Sequence, residues 1–329
     1  MNEGKNMCKR LFIFGNGFDI MHQKENQLNT KYSNFRSWLI SKCNNFDDDR
    51  IYDFSLPIYQ TNYRRLESYD EAEFAEFFVR LIDDADNTIC EDDEWKHFED
   101  TLGILNWNLI LNNVFEQYDE DGDLDPWKMQ NNYASLSQNA GETSHILSKF
   151  FKEWIVDVNS DFSKITNNPF FNQINMTNND LFLNFNYTST LEKVYGITDV
   201  CHIHGDASKY QDLIIGHGKA KFDNEETNYL KDEAFDFFEN IFNSYKKKPI
   251  ENINRHIDFF KKINSVEEIF VLGVSFGDAD VYYFKYIFSV TNAKNLYLYV
   301  YNDTDYEKTK DKVKKLGFKG NIINWKHFK

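Results

Sequence analysis

Proline and glycine are both scarce in this chain of 329 residues, at 4 and 14 in all, so its few glycine clusters mark positions rather than composition. Cysteine is scarcer still in any useful pattern. Cys8, Cys43, Cys90 and Cys201 are scattered without a Cys-x-x-Cys spacing, which excludes a zinc ribbon or disulfide framework and leaves reduced, mostly buried thiols. Positive charge is in deficit, with 37 Lys and Arg against 53 Asp and Glu. The resulting net charge of −16 repels nucleic acid and anionic membrane surfaces, so neither is expected as a partner. The lysines at 246–248 and at 308, 310, 312, 314 and 315 read as solvated helix faces. Long apolar runs are missing too. The polar segment Met1–Arg10 leads into a short apolar run that a glycine interrupts, with no signal-peptide core and no bilayer-length stretch, so a soluble, cytoplasmic protein is expected.

What is present is apolar and aromatic. Hydrophobic residues make up 41% and aromatics 17%, too much for a disordered chain, and the length suffices for one large α/β domain or two smaller ones. Residues 10–14 read as a buried first strand closed by Gly15, and a helix is predicted from about Ser33. From 43 to 178 the pattern turns mainly helical. Phe74, Phe77, Phe78 and Leu81 form one stripe, Leu147, Phe150, Phe151 and Trp154 another, and the acidic loop 119–125 is closed by Pro126. Strand character returns at 181–185, 200–204 and 213–216, with helices at 189–195, 224–246 and 250–264. Apolar runs at 269–273, 295–301 and 321–325, separated by one helix each, complete the alternation of a parallel sheet with crossover helices. The expected architecture is an α/β, doubly wound, mainly parallel Rossmann-like sheet built from 1–42 and 179–329, with 43–178 as a helical insertion.

Three distant segments read as one nucleotide site beyond the carboxyl ends of strands: residues 11–19, residues 183–188 with 202–205, and residues 271–278. Gly15-Asn16-Gly17 could bring backbone amides to a pyrophosphate or could be a tight turn; Ile20 stands where a full Gly-x-Gly-x-x-Gly needs its third glycine. Asp19 could hold a ribose hydroxyl or cap a turn. Alternation puts Asn184 and Asn186 on one face, suited to a sugar or to bonding nearby backbone. His202 and His204 share a face on the same reasoning. Asp206 and His217 are conceivable further metal ligands, but no third ligand is evident and no metal is expected, so His204, opening a turn before Gly205, reads as a general base or a structural histidine. At the third strand end, Ser275 could bind phosphate or ribose while Asp278 and Asp280 cap the next helix. Gly273-Val-Ser275-Phe-Gly277 also spells the esterase Gly-x-Ser-x-Gly, for which His327 is the only later histidine.

These residues resemble the AbiH family of bacterial abortive-infection proteins, associated with defence against phage. The resemblance runs through Phe14-Gly-Asn-Gly-Phe-Asp19, Tyr32 and Phe35, Trp95 with Glu99, Asn184-Phe-Asn-Tyr-Thr188, His202-Ile-His-Gly205 and Gly273-Val-Ser-Phe-Gly-Asp278. The same clusters are similar to those of the SIR2-like family, whose defence members cleave NAD. Aligned on that pattern, Asn186 falls at the Asn that positions the ribose and the attacking water, and His204 at the catalytic His. Phe185, Thr188 and Asp19 depart from the Thr, Asp and Ser of the pattern. The absence of Cys-x-x-Cys disfavours deacetylation and leaves NAD hydrolysis compatible. The resemblance thus implies an effector that binds and hydrolyses NAD through Asn186 and His204. Gly15, Asn16, Gly17, Phe18, Asp19, Asn184, Tyr187, Gly205, Gly273, Ser275 and Asp278 would contact the nucleotide. It implies further a phage-derived or protein trigger and self-association as a switch. A non-catalytic sensor of NAD or ADP-ribose, and a serine esterase using Ser275, are the competing readings.

Overall fold

The computed structural model describes residues 10–26, 28–61, 67–88, 97–160, 162–163, 165–172, 174–209, 213–222 and 228–327; Cys8, Cys90 and Trp95 lie outside them. Its strands are β1 (Arg10–Phe14), β2 (Tyr59–Thr61), β3 (Glu67–Tyr69), β4 (Leu181–Asn184), β5 (Val200–His202), β6 (Glu268–Leu272), β7 (Asn295–Tyr299) and β8 (Asn321–Asn324). Six of these make one sheet in the order β5-β4-β1-β6-β7-β8, with every pair parallel. That is the doubly wound arrangement, in which the chain starts in the middle, builds outward on one side, then returns to build the other.

The two faces of this sheet differ in chemistry because β1 alternates Leu11 and Ile13 with Phe12 and Phe14. On one face Leu183, Ile13, Val271 and Leu298 line up across four strands as an aliphatic layer. On the other, Phe182, Phe12, Phe270 and Tyr297 stand in register and stack, with ring centroids 5.4, 4.7 and 4.5 Å apart along the row. Burial on both faces explains why the strands read as continuous apolar runs rather than as alternating ones.

The chain forms two compact units. The sheet unit comprises 1–31, 155–214 and 248–329; the second comprises 32–154 and 215–247. In the second unit the helix Glu71–Asp86 starts at Asp70, whose side chain accepts from Ala72 N and Glu73 N. It buries Phe74, Phe77, Phe78 and Leu81 as their spacing predicts. Residues 32–42 and 215–247, outside the 43–178 segment named above, belong to this unit for packing reasons. The helix Tyr32–Lys42 buries Phe35 against Phe98, Phe151 and Trp154, and the helix Asp232–Ser244 packs along Pro126–Thr143. A small antiparallel pair, β2 with β3, also interrupts this otherwise helical region.

Two strand expectations need correction. Residues 213–216 are irregular, leading only to a single bridge between His217 and Lys246. The expected strand 200–204 stops at His202, because the Gly205 amide bonds the His202 carbonyl at 3.2 Å and closes a turn. Among the described residues, no helix is long and apolar enough to cross a membrane.

Candidate functional site

In a doubly wound sheet the crevice opens where the strand order reverses, here between the carboxyl ends of β1 and β6. Gly15 and Gly17 on one side and Gly273 on the other meet at that point, backbone against backbone. Gly15 N bonds the Leu272 carbonyl and Gly17 N the Gly273 carbonyl, both at 3.0 Å. A methyl group on Gly17 would fall 2.5 Å from Gly273 Cα, and one on Gly273, whose φ is +70°, would fall 2.4 Å from Phe18 N. The glycines are therefore positional, as the sequence suggests, but the two amides expected to cradle phosphate are bonded to the end of β6 and the residue that follows it. Asn16 donates from its side chain to the Thr30 carbonyl at 2.9 Å. Phe18 is fully buried on the aromatic face, against Phe14, Phe171 and His22.

Asp19, on the first helix (Asn16–Asn26), is 1% exposed and receives two hydroxyls, Thr188 Oγ1 at 2.5 Å and Thr190 Oγ1 at 2.8 Å. Burial pushes its carboxyl up to about 6, against the lowering effect of those two bonds and of His202. The β4 end is turned by its own side chains. Asn184 Oδ1 accepts from Asn186 N at 3.0 Å, and Asn186 Nδ2 donates to the Gly15 carbonyl at 3.1 Å, so both carboxamides bond backbone in this state. Tyr187 donates to the Ile214 carbonyl at 3.0 Å.

The two histidines part company because the strand ends between them. His202 stays with the sheet edge: Nδ1 lies 3.2 Å from the Asn186 carbonyl, Nε2 2.7 Å from Glu192 Oε1 and 3.9 Å from Asp206 Oδ2. His204, 1% exposed, sits among the rings of Phe185, Tyr187 and Tyr283, with Nε2 3.5 Å from Asp280 Oδ1. The backbone between them is pinned by Asn252, whose Nδ2 donates to the Ile203 carbonyl and to Tyr283 Oη.

Beyond β6, Ser275 and Asp278 are exposed, and the Ser275 carbonyl accepts from Lys312 Nζ at 3.4 Å. Asp280 opens the helix Val281–Val290 without a side-chain cap bond, contrary to the expected capping role. Besides Gly273, the left-handed residue of this loop is Phe276, φ +53°, and not Ser275, so the Gly-x-Ser-x-Gly spelling lacks the strained serine of an esterase elbow; the His327 side chain lies outside the described residues.

The fold thus gathers Gly15, Gly17, Asp19, Asn184, Asn186, Tyr187, His204, Gly205 and Gly273 at the carboxyl ends of β1, β4, β5 and β6. Sequence reasoning missed Glu192 and Thr190, which the helix Thr190–Tyr195 delivers, and Asp280 as the neighbour of His204. Glu192, His202 and Asp206 offer one nitrogen and two carboxylate oxygens, all within 4.8 Å of one another. A family model described as bacteriophage abortive infection AbiH matches residues 11–302. No curated protein and no solved structure matches the chain.

Proposed function

The chain belongs to the AbiH family of bacteriophage abortive-infection proteins, and on that premise we propose that it is a phage-defence effector that binds NAD and hydrolyses it to nicotinamide and ADP-ribose. The observation that carries this reading is that Asn186 and His204, just beyond the ends of two adjacent parallel strands, reach the two sides of the switch point of a doubly wound sheet, Asn186 the Gly15 carbonyl after β1 and His204 Asp280 after β6. Breaking the bond between ribose C1′ and the nicotinamide nitrogen passes through a cation-like sugar, as in glycoside hydrolysis. The leaving nicotinamide takes the bonding electron pair, and a water oxygen bonds to C1′. His204 takes the water's proton, a general-base contribution of roughly 10² to 10⁴ in rate, with the Asp280 carboxylate beside the imidazolium that forms. Asn186 would exchange its bond to the Gly15 carbonyl for one to a ribose hydroxyl or the attacking water.

A second reading, a sensor that binds the nucleotide without turning it over, is favoured by the burial of His204 and by the internal bonds of Asn184 and Asn186. For either reading, the activity answers to a phage-derived or protein trigger, with self-association as one form of switch. The test is NAD consumption by wild type and His204→Ala, with and without lysate of phage-infected cells, alongside calorimetric NAD binding. Cleavage lost in the variant with binding retained is the expected result. Binding without cleavage under any condition supports the sensor, and an absence of both ends the NAD reading.

A further inference from the structure

We propose that Glu192, His202 and Asp206 form a binding site for one divalent first-row transition-metal cation of the zinc or manganese type. The argument begins with the tautomer of His202. Its Nδ1 faces the Asn186 carbonyl, which can only accept, so the proton on that nitrogen is accounted for. Its Nε2 faces Glu192 Oε1 at 2.7 Å and Asp206 Oδ2 at 3.9 Å. A second proton on Nε2 makes an imidazolium and serves one of those oxygens; a dication serves the nitrogen and both carboxylates together.

Three further features favour the cation. Glu192 Oε2 is buried and has no hydrogen-bond partner among the described residues. The His202 side chain is 3% exposed, that of Asp206 2% and that of Glu192 21%, so two carboxylates share a largely buried pocket with one imidazole, an arrangement a dication neutralises. Asp206 is also held in the attitude of a ligand. Its Oδ1 takes Ser208 N at 2.9 Å, Ser208 Oγ at 2.7 Å and Ser189 Oγ at 3.1 Å, which leaves Oδ2 turned toward His202. Lys209 Nζ reaches Oδ2 at 3.2 Å from a side chain that is 55% exposed, so it can withdraw into solvent as the cation enters.

The donor set fits the chemistry. Imidazole with carboxylates suits zinc or manganese better than magnesium, which prefers oxygen alone. Bonds of about 2.0–2.2 Å put neighbouring ligand atoms about 3–3.5 Å apart, within the span of the separations here. The contact from Nδ1 to a backbone carbonyl is the outer-shell bond that orients metal-binding histidines. A cation at this point joins the helix Thr190–Tyr195, the end of β5 and, through the Asn186 carbonyl, the turn after β4.

The test uses untagged, full-length protein stripped with chelator and then titrated with ZnCl2, MnCl2 and MgCl2, with bound metal counted by mass spectrometry. One equivalent of zinc or manganese per chain and a rise in Tm are expected. Affinity should fall by roughly tenfold or more in His202→Ala and in Glu192→Gln, the second of which changes a partly exposed helix residue without altering its size. Failure of the wild type to retain either metal overturns the proposal, as does equal binding by both variants. A doubly protonated His202 ring in excess zinc, read from its nitrogen resonances, overturns it too. None of these readouts depends on NAD cleavage.

Discussion

The sheet unit and the helical unit bury polar groups in different ways. In the helical unit several of them are dispersed along the chain's packing as pairwise contacts. Lys247, its side chain fully buried, has Nζ 3.0 Å from Glu99; Thr101 bonds Asp86 at 3.2 Å; His217 Nε2 donates to the Phe242 carbonyl at 3.0 Å. In the sheet unit many crowd one end of the sheet and share partners: Asp19 takes the hydroxyls of both Thr188 and Thr190, and His202 faces both Glu192 and Asp206. Pairwise contacts of the first kind fix a fold. A network of the second kind costs more desolvation than a core of the same size requires, and such expense is concentrated where chemistry or binding is done.

The strongest way to break this contrast is to remove one member of a buried ion pair. Lys247→Met leaves Glu99 without its ammonium partner and should cost about 3–5 kcal/mol in urea denaturation, while Lys247→Met with Glu99→Leu should recover most of it. Equal losses in the single and double variants would mean that the lysine acts through something other than its charge.

Titration sharpens the contrast next, because burial acts on groups of opposite charge type. Asp19 has its carboxyl raised to about 6, so the native state holds a proton the unfolded chain releases near 3.8. Its stabilising contribution is complete below that lower value and is lost as pH rises through 6. His217 is pushed down to about 4 by burial, so its contribution is complete above about 6.5 and is lost as pH falls through 4. In the wild type the two trends oppose each other. Asp19→Asn should therefore become more stable between pH 4 and 6, and His217→Gln less stable, each by up to about 3 kcal/mol. Parallel slopes for the two variants in chemical denaturation would refute the assignment.

The smallest expected effects come from glycine. Gly17→Ala forces a methyl group against Gly273 Cα and should cost about 1–3 kcal/mol. Gly141→Ala, in the helix Pro126–Thr143 with open space around it, should instead stabilise by about 0.5–1 kcal/mol. Thermal denaturation separates the two signs directly.

Much of the fold was legible where the signal is local. The run 10–14 is β1 with the same bounds, and the phenylalanine stripe within 71–84 is a helix from Glu71 to Asp86. Strand order left no local trace, since Leu11 lies between Leu181 and Ile269. The site was legible as a set of positions and less so as contacts. Gly15 and Gly17 stand at a close approach, yet what approaches is the loop of Gly273. His202 and His204 were expected on one face by alternation; the turn at Gly205, φ +91°, ends the strand between them and sends one ring toward Glu192 and the other toward Asp280. Glu192 was invisible because no motif links it to a histidine ten residues later; only the packing of its helix does.

The placement of β1 in the middle of the sheet also has a bearing on biosynthesis. Its residues leave the ribosome early, yet one neighbour is made only at residues 181–184 and the other only at 268–272. Gly15 and Gly17 wait for Gly273 before their amides find the carbonyls they bond. A nascent chain therefore carries its strand-end site in pieces for most of its translation, so whatever that site does to the cell is deferred until synthesis has passed the sixth strand.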